Sequence, residues 1–165
     1  MMNVSRHVRV AKIAALLVAA LAMGACAKNA AQDAGALANA SAATPGSQQD
    51  FVVNVGDRVF FNSDSSELTP QSIETLDKQA QWLRSYAQYT FVVEGHADER
   101  GTREYNIALG ARRAQAVHDY LVSRGIPAHR MRTISYGKER PVAVCDDISC
   151  WSQNRRAVTV LNASS

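Results

Sequence analysis

The fold is decided by residues 95–114, which read GHADERGTREYNIALGARRA. This stretch follows a β-branched and aromatic run, TFVVEG at residues 90–95, and passes through a loop bounded by glycines. Beyond the loop, Thr102 is a favourable N-cap, and Ile107, Gly110, Ala114 and Val117 recur with helical spacing. The stretch therefore predicts a strand, a loop and a helix, with the loop at the carboxyl end of the strand, where ligands favour binding in open α/β sheets.

Strand and helix patterns alternate on both sides of this stretch. Thr69 and Pro70 are the N-cap and first residue of another predicted helix, which carries an apolar stripe through Leu76 and Leu83. A helical turn is predicted at 152–155, and residues 51–55 are predicted to be a short strand or an ordered lead-in. The remaining predicted strands cover residues 57–61, 90–95, 131–136 and 157–161. We expect an α/β (α+β) sandwich, in which two long helices pack on one face of a roughly four-stranded mixed sheet.

The residues with chemical potential lie at the junction of this strand and helix. Asp98 follows the strand, and helical spacing places Asn106 and Arg113 on one inward face of the helix. A buried arginine needs a partner, and Asp98 is the candidate. Two interpretations are open from spacing alone. The two residues form a structural ion pair, or they receive a zwitterion, with the carboxylate taking an ammonium group and the guanidinium a carboxylate.

The first 25 residues are typical of a signal peptide. A basic segment precedes an uncharged apolar run, IAALLVAALAM at residues 13–23, which is too short to span a bilayer. Gly24 and Ala25 then precede Cys26, as in a bacterial lipoprotein signal. We predict a lipidated Cys26 at the mature N-terminus, anchored by acyl chains such as palmitate. The alternative is ordinary signal cleavage with Cys26 unmodified.

A composition change separates a linker from a domain. Residues 26–50 are rich in Ala, Ser, Asn, Gln and Gly, and we predict a flexible linker there, followed by a domain over residues 51–165. Arg6, Arg9 and Lys12 account for the net charge of +3, and without them basic and acidic residues balance at 15 each. A neutral domain argues against nucleic-acid binding.

If Cys26 is lipidated, two cysteines remain. Cys145 and Cys150 lie in the segment CDDISC, and four intervening residues allow the chain to turn back far enough for a disulfide. Free thiols and a metal site are the alternatives. A metal site would need two more ligands, and His129 is the only histidine within 25 residues of the pair. We therefore expect no metal.

An enzyme is the rival class from the residues alone. His96, Asp98 and Glu99 could suggest a metal-dependent hydrolase, but they lack a recognised ligand spacing such as H-E-x-x-H. No serine or cysteine nucleophile has an evident histidine base. We expect a binding protein with no cofactor, and a protein-interaction scaffold with a degenerate pocket is the alternative.

The residues resemble a known family at three blocks in order. GHADERGTREYNIALGARRA, TISYGKERP and QNRRAV, within residues 59–161, are similar to the peptidoglycan-associated lipoproteins and to the peptidoglycan-binding domain of outer membrane protein A. The resemblance implies an OmpA-like fold and noncovalent binding of the diaminopimelate end of the peptidoglycan stem peptide. It assigns the ligand ammonium to Asp98 and the ligand carboxylate to Arg113. The further pocket positions that it implies are Asn106, Leu109, Asp64, Arg100 and Thr102.

The same resemblance implies a cellular role. It places the chain in the outer membrane, lipid-anchored and facing the periplasm, consistent with Ala27 rather than Asp after Cys26. It implies TolB and the Tol complex as partners, and it implies that the protein tethers the outer membrane to the cell wall within the Tol-Pal system, supporting envelope integrity and cell division.

Overall fold

A computed structural model describes residues 43–162. The predicted signal peptide (1–25), the predicted lipidation site Cys26 and most of the predicted linker (26–50) lie outside the described residues. No helix in the described part of the chain is long and apolar enough to cross a membrane.

The described residues form a four-stranded sheet with helices before and between the strands. The strand order is β1-β4-β2-β3; β2 pairs parallel with β3, and β4 pairs antiparallel with both β1 and β2. The predicted mixed sheet is therefore confirmed. The elements in chain order are α1 (Gln48–Asp50), a π-helical turn (Phe51–Gly56), β1 (Arg58–Phe60), α2 (Pro70–Ser85), β2 (Thr90–His96), α3 (Arg103–Ser123), a 3₁₀ turn (Ala128–Arg130), β3 (Met131–Gly137), α4 (Ile148–Asn154) and β4 (Arg156–Asn162).

The two long helices begin where the sequence predicts. The Thr69 side chain accepts a hydrogen bond from the Ser72 amide at 3.1 Å, and Pro70 opens α2. The Thr102 hydroxyl oxygen caps α3 by accepting from the Tyr105 amide at 3.2 Å. Each cap satisfies an amide that has no partner within the helix, which fixes where the helix starts.

Both long helices pack on one face of the sheet, as predicted. Phe91 and Val93 of β2 are buried in one cluster with Leu83 of α2 and with Val117 and Leu121 of α3. The alternation of buried residues along β2 gives the sheet a covered face and a second face without these helices. Within residues 43–162 there are four α-helices rather than two, because α1 is a single turn and the predicted turn at 152–155 is the longer helix α4, Ile148–Asn154.

The ordered domain begins before the predicted boundary at residue 51. The Tyr89 hydroxyl donates to the Gly46 carbonyl at 2.9 Å, and the Trp82 indole donates to the Asp50 carboxylate at 2.8 Å. Phe51 is fully buried, with its ring centroid 4.9 Å from that of Trp82. The segment after Asp50 is π-helical rather than a strand. An apolar run this short does not distinguish the two conformations from the sequence alone.

The backbones of α3 and β2 pack directly against each other where Gly95 faces Gly110. A Cβ at Gly95 would lie 1.8 Å from the Gly110 carbonyl oxygen, and a Cβ at Gly110 would lie 2.4 Å from Ser135 Oγ and 2.8 Å from the Gly95 carbonyl oxygen. Neither position has room for a side chain. The two glycines therefore set the distance of α3 from the sheet, and with it the position of every residue that α3 brings to the strand end.

We predict that Gly110→Ala destabilises the protein. Helix propensity alone favours alanine by about 1 kcal/mol, whereas the clash with β2 costs about 1–3 kcal/mol beyond that gain. Urea unfolding of the purified protein measures the sign. Ala108→Gly, at an exposed position of the same helix, is the control and should lose about 1 kcal/mol through propensity. A Gly110→Ala variant more stable than wild type would contradict the close packing of α3 on β2.

Candidate functional site

A cavity of about 250 Å³ opens at the carboxyl end of β2, between the loop that follows β1 and the first turns of α3. This is the strand-end location that the sequence predicts for a ligand. Its lining includes two carboxylates, a guanidinium and an apolar side chain. The residues that line it are Ser63, Asp64, Asp98, Arg100, Gly101, Tyr105, Asn106 and Leu109.

The Asp98 carboxylate is nearly buried, with 7% of the residue exposed, and two guanidinium groups hold it. Arg100 Nη2 donates to Oδ2 at 2.7 Å, and Arg100 Nε donates to Oδ1 at 3.1 Å. Arg155 Nη1 donates to Oδ2 at 3.3 Å. Burial raises the pKa of Asp98, but the hydrogen bonds from Arg100 and Arg155 more than offset burial, so the pKa lies below its ordinary value. The group is therefore an anion at neutral pH.

Arg113 is fully buried on the inward face of α3, as its helical spacing predicts, but its hydrogen-bond partners differ from the predicted one. Its guanidinium makes no hydrogen bond to Asp98. Instead, Nε donates to the Ser65 carbonyl at 2.9 Å, Nη1 to the His96 carbonyl at 2.7 Å and Nη2 to the Asn62 carbonyl at 3.2 Å. Burial lowers the pKa of Arg113 to about 10, and the nearby Asp98 charge acts in the opposite direction. The candidate ion pair between Asp98 and Arg113 is therefore not a direct contact, because backbone carbonyls at the strand end and in the β1–α2 loop satisfy the guanidinium.

Five of the seven predicted pocket residues line the cavity. Asn106 is buried, and its side-chain amide donates to the Arg100 carbonyl at 2.7 Å, which fixes the loop before α3. Thr102 is not part of the lining; it caps α3 instead. Arg113 lies beneath the β1–α2 loop rather than in the cavity wall. The five lining residues among the predicted set are Asp64, Asp98, Arg100, Asn106 and Leu109.

Tyr105 and Arg155 are the principal contributors that the sequence did not indicate. The Tyr105 hydroxyl donates to Asp64 Oδ1 across the cavity mouth. Asp64 is in the left-handed region with φ of 55°, which aspartate adopts more readily than most residues. Tyr105 precedes Asn106 in the first turn of α3 and is exposed, so an argument from the inward helical face passes over it. Arg155 immediately precedes β4, and β4 lies beside β2. The order of the strands in the sheet, which the sequence did not predict, brings Arg155 to Asp98.

The segment that contains Cys145 and Cys150 lies next to the same site. The Sγ atoms of Cys145 and Cys150 are bonded in the structure, with their Cα atoms 5.6 Å apart. Trp151 follows Cys150 in α4, and its indole Nε1 donates to Glu99 Oε1 at 2.9 Å. The Arg100 guanidinium carbon lies 4.3 Å from the centroid of the Trp151 ring. The disulfide-bonded segment thus contacts the loop that carries Asp98.

His96, at the end of β2, is buried beside the outer face of the sheet. Neither ring nitrogen has a hydrogen-bond partner among the described residues, and Nε2 lies 3.6 Å from Glu94 Oε2. Burial lowers the pKa of His96 to about 4, and the positive charges of Arg156 and Arg140 add to the effect. The imidazole is therefore neutral in the folded protein at neutral pH, and its side chain does not support Asp98 by a hydrogen bond.

We predict that His96 makes the fold acid-sensitive between pH 6.5 and about 4. In that window the unfolded chain binds a proton that the folded chain excludes, so stability falls as the pH falls, by up to ~3 kcal/mol. His96→Phe should remove this part of the pH dependence, because a phenyl ring binds no proton in either the folded or the unfolded chain. Urea unfolding at pH 7 and pH 4.5 checks it, and an equal loss of stability in both proteins would contradict the assignment.

Comparison with known proteins identifies the family of this chain. Residues 60–157 match the OmpA family, which is 59% of the 165-residue chain. A relative from Rhizobium meliloti (strain 1021), named peptidoglycan-associated lipoprotein, is 68% identical over 151 residues, covering 90% of this chain and 86% of the relative. A relative of the same name from Agrobacterium fabrum is 65% identical over 149 residues, covering 88% and 84% of the two chains.

A solved structure agrees with these relatives. The crystal structure of the peptidoglycan-associated lipoprotein from Burkholderia pseudomallei matches with a TM-score of 0.63 at 42% identity, covering 64% of this chain and 90% of that chain. The chain belongs to the peptidoglycan-associated lipoproteins, within the OmpA family.

Proposed function

We propose that the protein is an outer-membrane lipoprotein that binds peptidoglycan noncovalently through the diaminopimelate end of the stem peptide. It is a binding protein rather than an enzyme, and it links the outer membrane to the cell wall. The observation that carries the proposal is the Asp98 carboxylate, an anion at the base of the strand-end cavity with both oxygens held by guanidinium groups.

Diaminopimelate matches the chemistry of the cavity. Its side-chain end carries an ammonium and a carboxylate on one carbon atom, and Asp98 offers the complementary charge for the ammonium. Leu109 gives an apolar wall for the methylene chain. Asp64, at the mouth of the cavity, offers a second carboxylate. The Asn106 amide and the Thr102 cap fix the loop that joins β2 to α3.

Arg113 is the proposed partner of the ligand carboxylate, on one condition. The Asn62 and Ser65 carbonyls now occupy its guanidinium, so the β1–α2 loop has to shift before a carboxylate can replace either one. A ligand carboxylate is a stronger acceptor than a neutral carbonyl, which favours the exchange.

The cellular part of the proposal rests on the family resemblance and the N-terminal sequence. Cys26 carries the lipid in the outer membrane, and the domain faces the periplasm. TolB and the Tol complex are the proposed protein partners, and envelope integrity and cell division are the processes served within the Tol-Pal system.

We predict that Asp98→Asn weakens binding of the tripeptide L-Ala-γ-D-Glu-meso-diaminopimelate. Losing a charged hydrogen bond to the ammonium should raise Kd roughly tenfold to a hundredfold. Isothermal titration with the purified full-length chain in detergent measures the change, and circular dichroism verifies the fold.

Asp119→Asn is the matched control, because Asp119 is an exposed carboxylate near the far end of α3. It should bind the tripeptide as wild type does. A folded Asp98→Asn protein with wild-type affinity would place the ligand elsewhere. A wild-type protein that gives no heat would favour the interaction scaffold.

We predict that Cys26→Ser abolishes the membrane anchor. Without the thiol, no diacylglyceryl thioether forms, so the variant should appear in the soluble periplasmic fraction and lack a lipid mass. A double variant Cys145→Ser/Cys150→Ser controls for the loss of cysteine as such and should stay with the membrane. Lipid found by mass spectrometry on the Cys26→Ser protein would rule out this anchor.

A further inference from the structure

The ammonium position at Asp98 is already filled by a cation of the protein itself. Arg100 contacts both carboxylate oxygens with two nitrogens, at 2.7 Å and 3.1 Å. The same Nη2 donates to Ser63 Oγ at 2.8 Å, so the side chain crosses the cavity from one loop to the other. An ammonium group that comes to Asp98 must therefore compete with Arg100.

Three guanidinium groups surround Asp98, and Arg100 is the one that is free to move. Arg113 is fully buried and donates to three backbone carbonyls. The Arg155 side chain is 8% exposed and also donates to a backbone carbonyl, at 3.1 Å. The Arg100 side chain is 43% exposed and hydrogen-bonds only to the side chains of Asp98 and Ser63. Solvent can take over those contacts, so displacing Arg100 breaks no backbone structure.

Trp151 also contacts the Arg100 side chain. The guanidinium lies over the indole ring at 4.3 Å, a cation–π contact. The indole is itself fixed, because its Nε1 donates to Glu99 Oε1 at 2.9 Å. The aromatic surface therefore favours the Arg100 rotamer that reaches Asp98.

Helix α4 holds Trp151 in place through contacts at both of its ends. The disulfide joins Cys150, which precedes Trp151, to Cys145 in the preceding loop. At the other end, the Asn154 side chain accepts from the Val142 amide at 2.8 Å and donates to the Ala143 carbonyl at 2.8 Å. Seven residues of helix are thus tied at two points to the loop before them.

We propose that Arg100 is a specificity-determining residue, an internal cation that Trp151 holds on Asp98 and that a ligand must replace. The proposal rests on the proposed function. A ligand with an ammonium and a carboxylate on one carbon replaces Arg100 at Asp98. One oxygen of its carboxylate accepts from Arg113, as proposed above, and the other is available to the released Arg100 guanidinium. A ligand with an ammonium alone leaves that guanidinium without a partner. Arg100 therefore selects for the zwitterionic end group and against simple amines.

Two tripeptides that differ in this carboxylate test the proposal. L-Ala-γ-D-Glu-meso-diaminopimelate carries it, and L-Ala-γ-D-Glu-L-lysine lacks it. Wild-type protein, full-length in detergent, should prefer the first by isothermal titration. Arg100→Ala should tighten binding of the lysine peptide roughly tenfold, because the internal competitor is gone. Arg112→Ala, an exposed arginine of α3 outside the cavity lining, removes the same charge and should leave the preference unchanged.

Substitutions at Trp151 and at the disulfide test whether these residues hold Arg100 on Asp98. Trp151→Ala should tighten lysine-peptide binding about threefold to fivefold, and Trp151→Phe should restore most of the wild-type preference. Cys145→Ser/Cys150→Ser should act in the direction of Trp151→Ala. In NMR spectra, the ring current of Trp151 should shift the Arg100 Nε–H signal, and the diaminopimelate peptide should change that shift as the guanidinium leaves Asp98.

The outcomes separate this inference from the function on which it rests. If Arg100→Ala weakens both peptides equally, or changes neither, Arg100 is not an internal competitor and the inference is wrong although peptidoglycan binding stands. If the Arg100 Nε–H signal stays unchanged when the diaminopimelate peptide saturates the protein, the exchange does not occur. If neither peptide binds wild type, the proposed function and the inference fail together.

Discussion

A buried guanidinium is the constraint on which the rest of the site depends. Arg113 lies on a helix face pressed against the sheet and has no exposed surface. Burying such a charge without partners is costly, so three carbonyls must converge on it, from Asn62, Ser65 and His96. These carbonyls belong to the end of β2 and to the β1–α2 loop. The requirement to satisfy one side chain therefore fixes the two segments between which the cavity opens.

The arginines around Asp98 have different roles. Arg113 and Arg155 are buried and donate to backbone carbonyls, so they stabilise the backbone around the site. Arg100 is partly exposed; its guanidinium holds the carboxylate, and its backbone amide also donates to Oδ1 at 3.2 Å. A carboxylate kept ionised and oriented before the ligand arrives reduces the ordering cost of binding. Because Arg100 occupies the Asp98 carboxylate, a ligand binds there only if it can replace Arg100.

The sequence predicted the elements well and the long-range contacts poorly. The caps at Thr69 and Thr102, the apolar periodicities and the β-branched runs are local signals, and they located the strands and both long helices. Spacing also indicated Asp98 and Asn106, whereas Asp64, Arg100 and Leu109 of the cavity lining came from the family resemblance. Helical spacing also placed Arg113 on the inward face, but spacing cannot say which acceptors meet it. Trp151 contacts a residue 52 positions away, and the Phe51 ring packs against the distant Trp82. Such contacts depend on how elements pack, which no local pattern encodes.

The account's central claim is that the Asp98 carboxylate receives the ammonium group of the ligand. A crystal structure of the protein with L-Ala-γ-D-Glu-meso-diaminopimelate tests it most directly. The account predicts the side-chain ammonium nitrogen at about 2.7–2.9 Å from an Asp98 oxygen, with the Arg100 guanidinium turned away from that carboxylate. A peptide bound outside the strand-end cavity, with Arg100 still paired to Asp98, would contradict it.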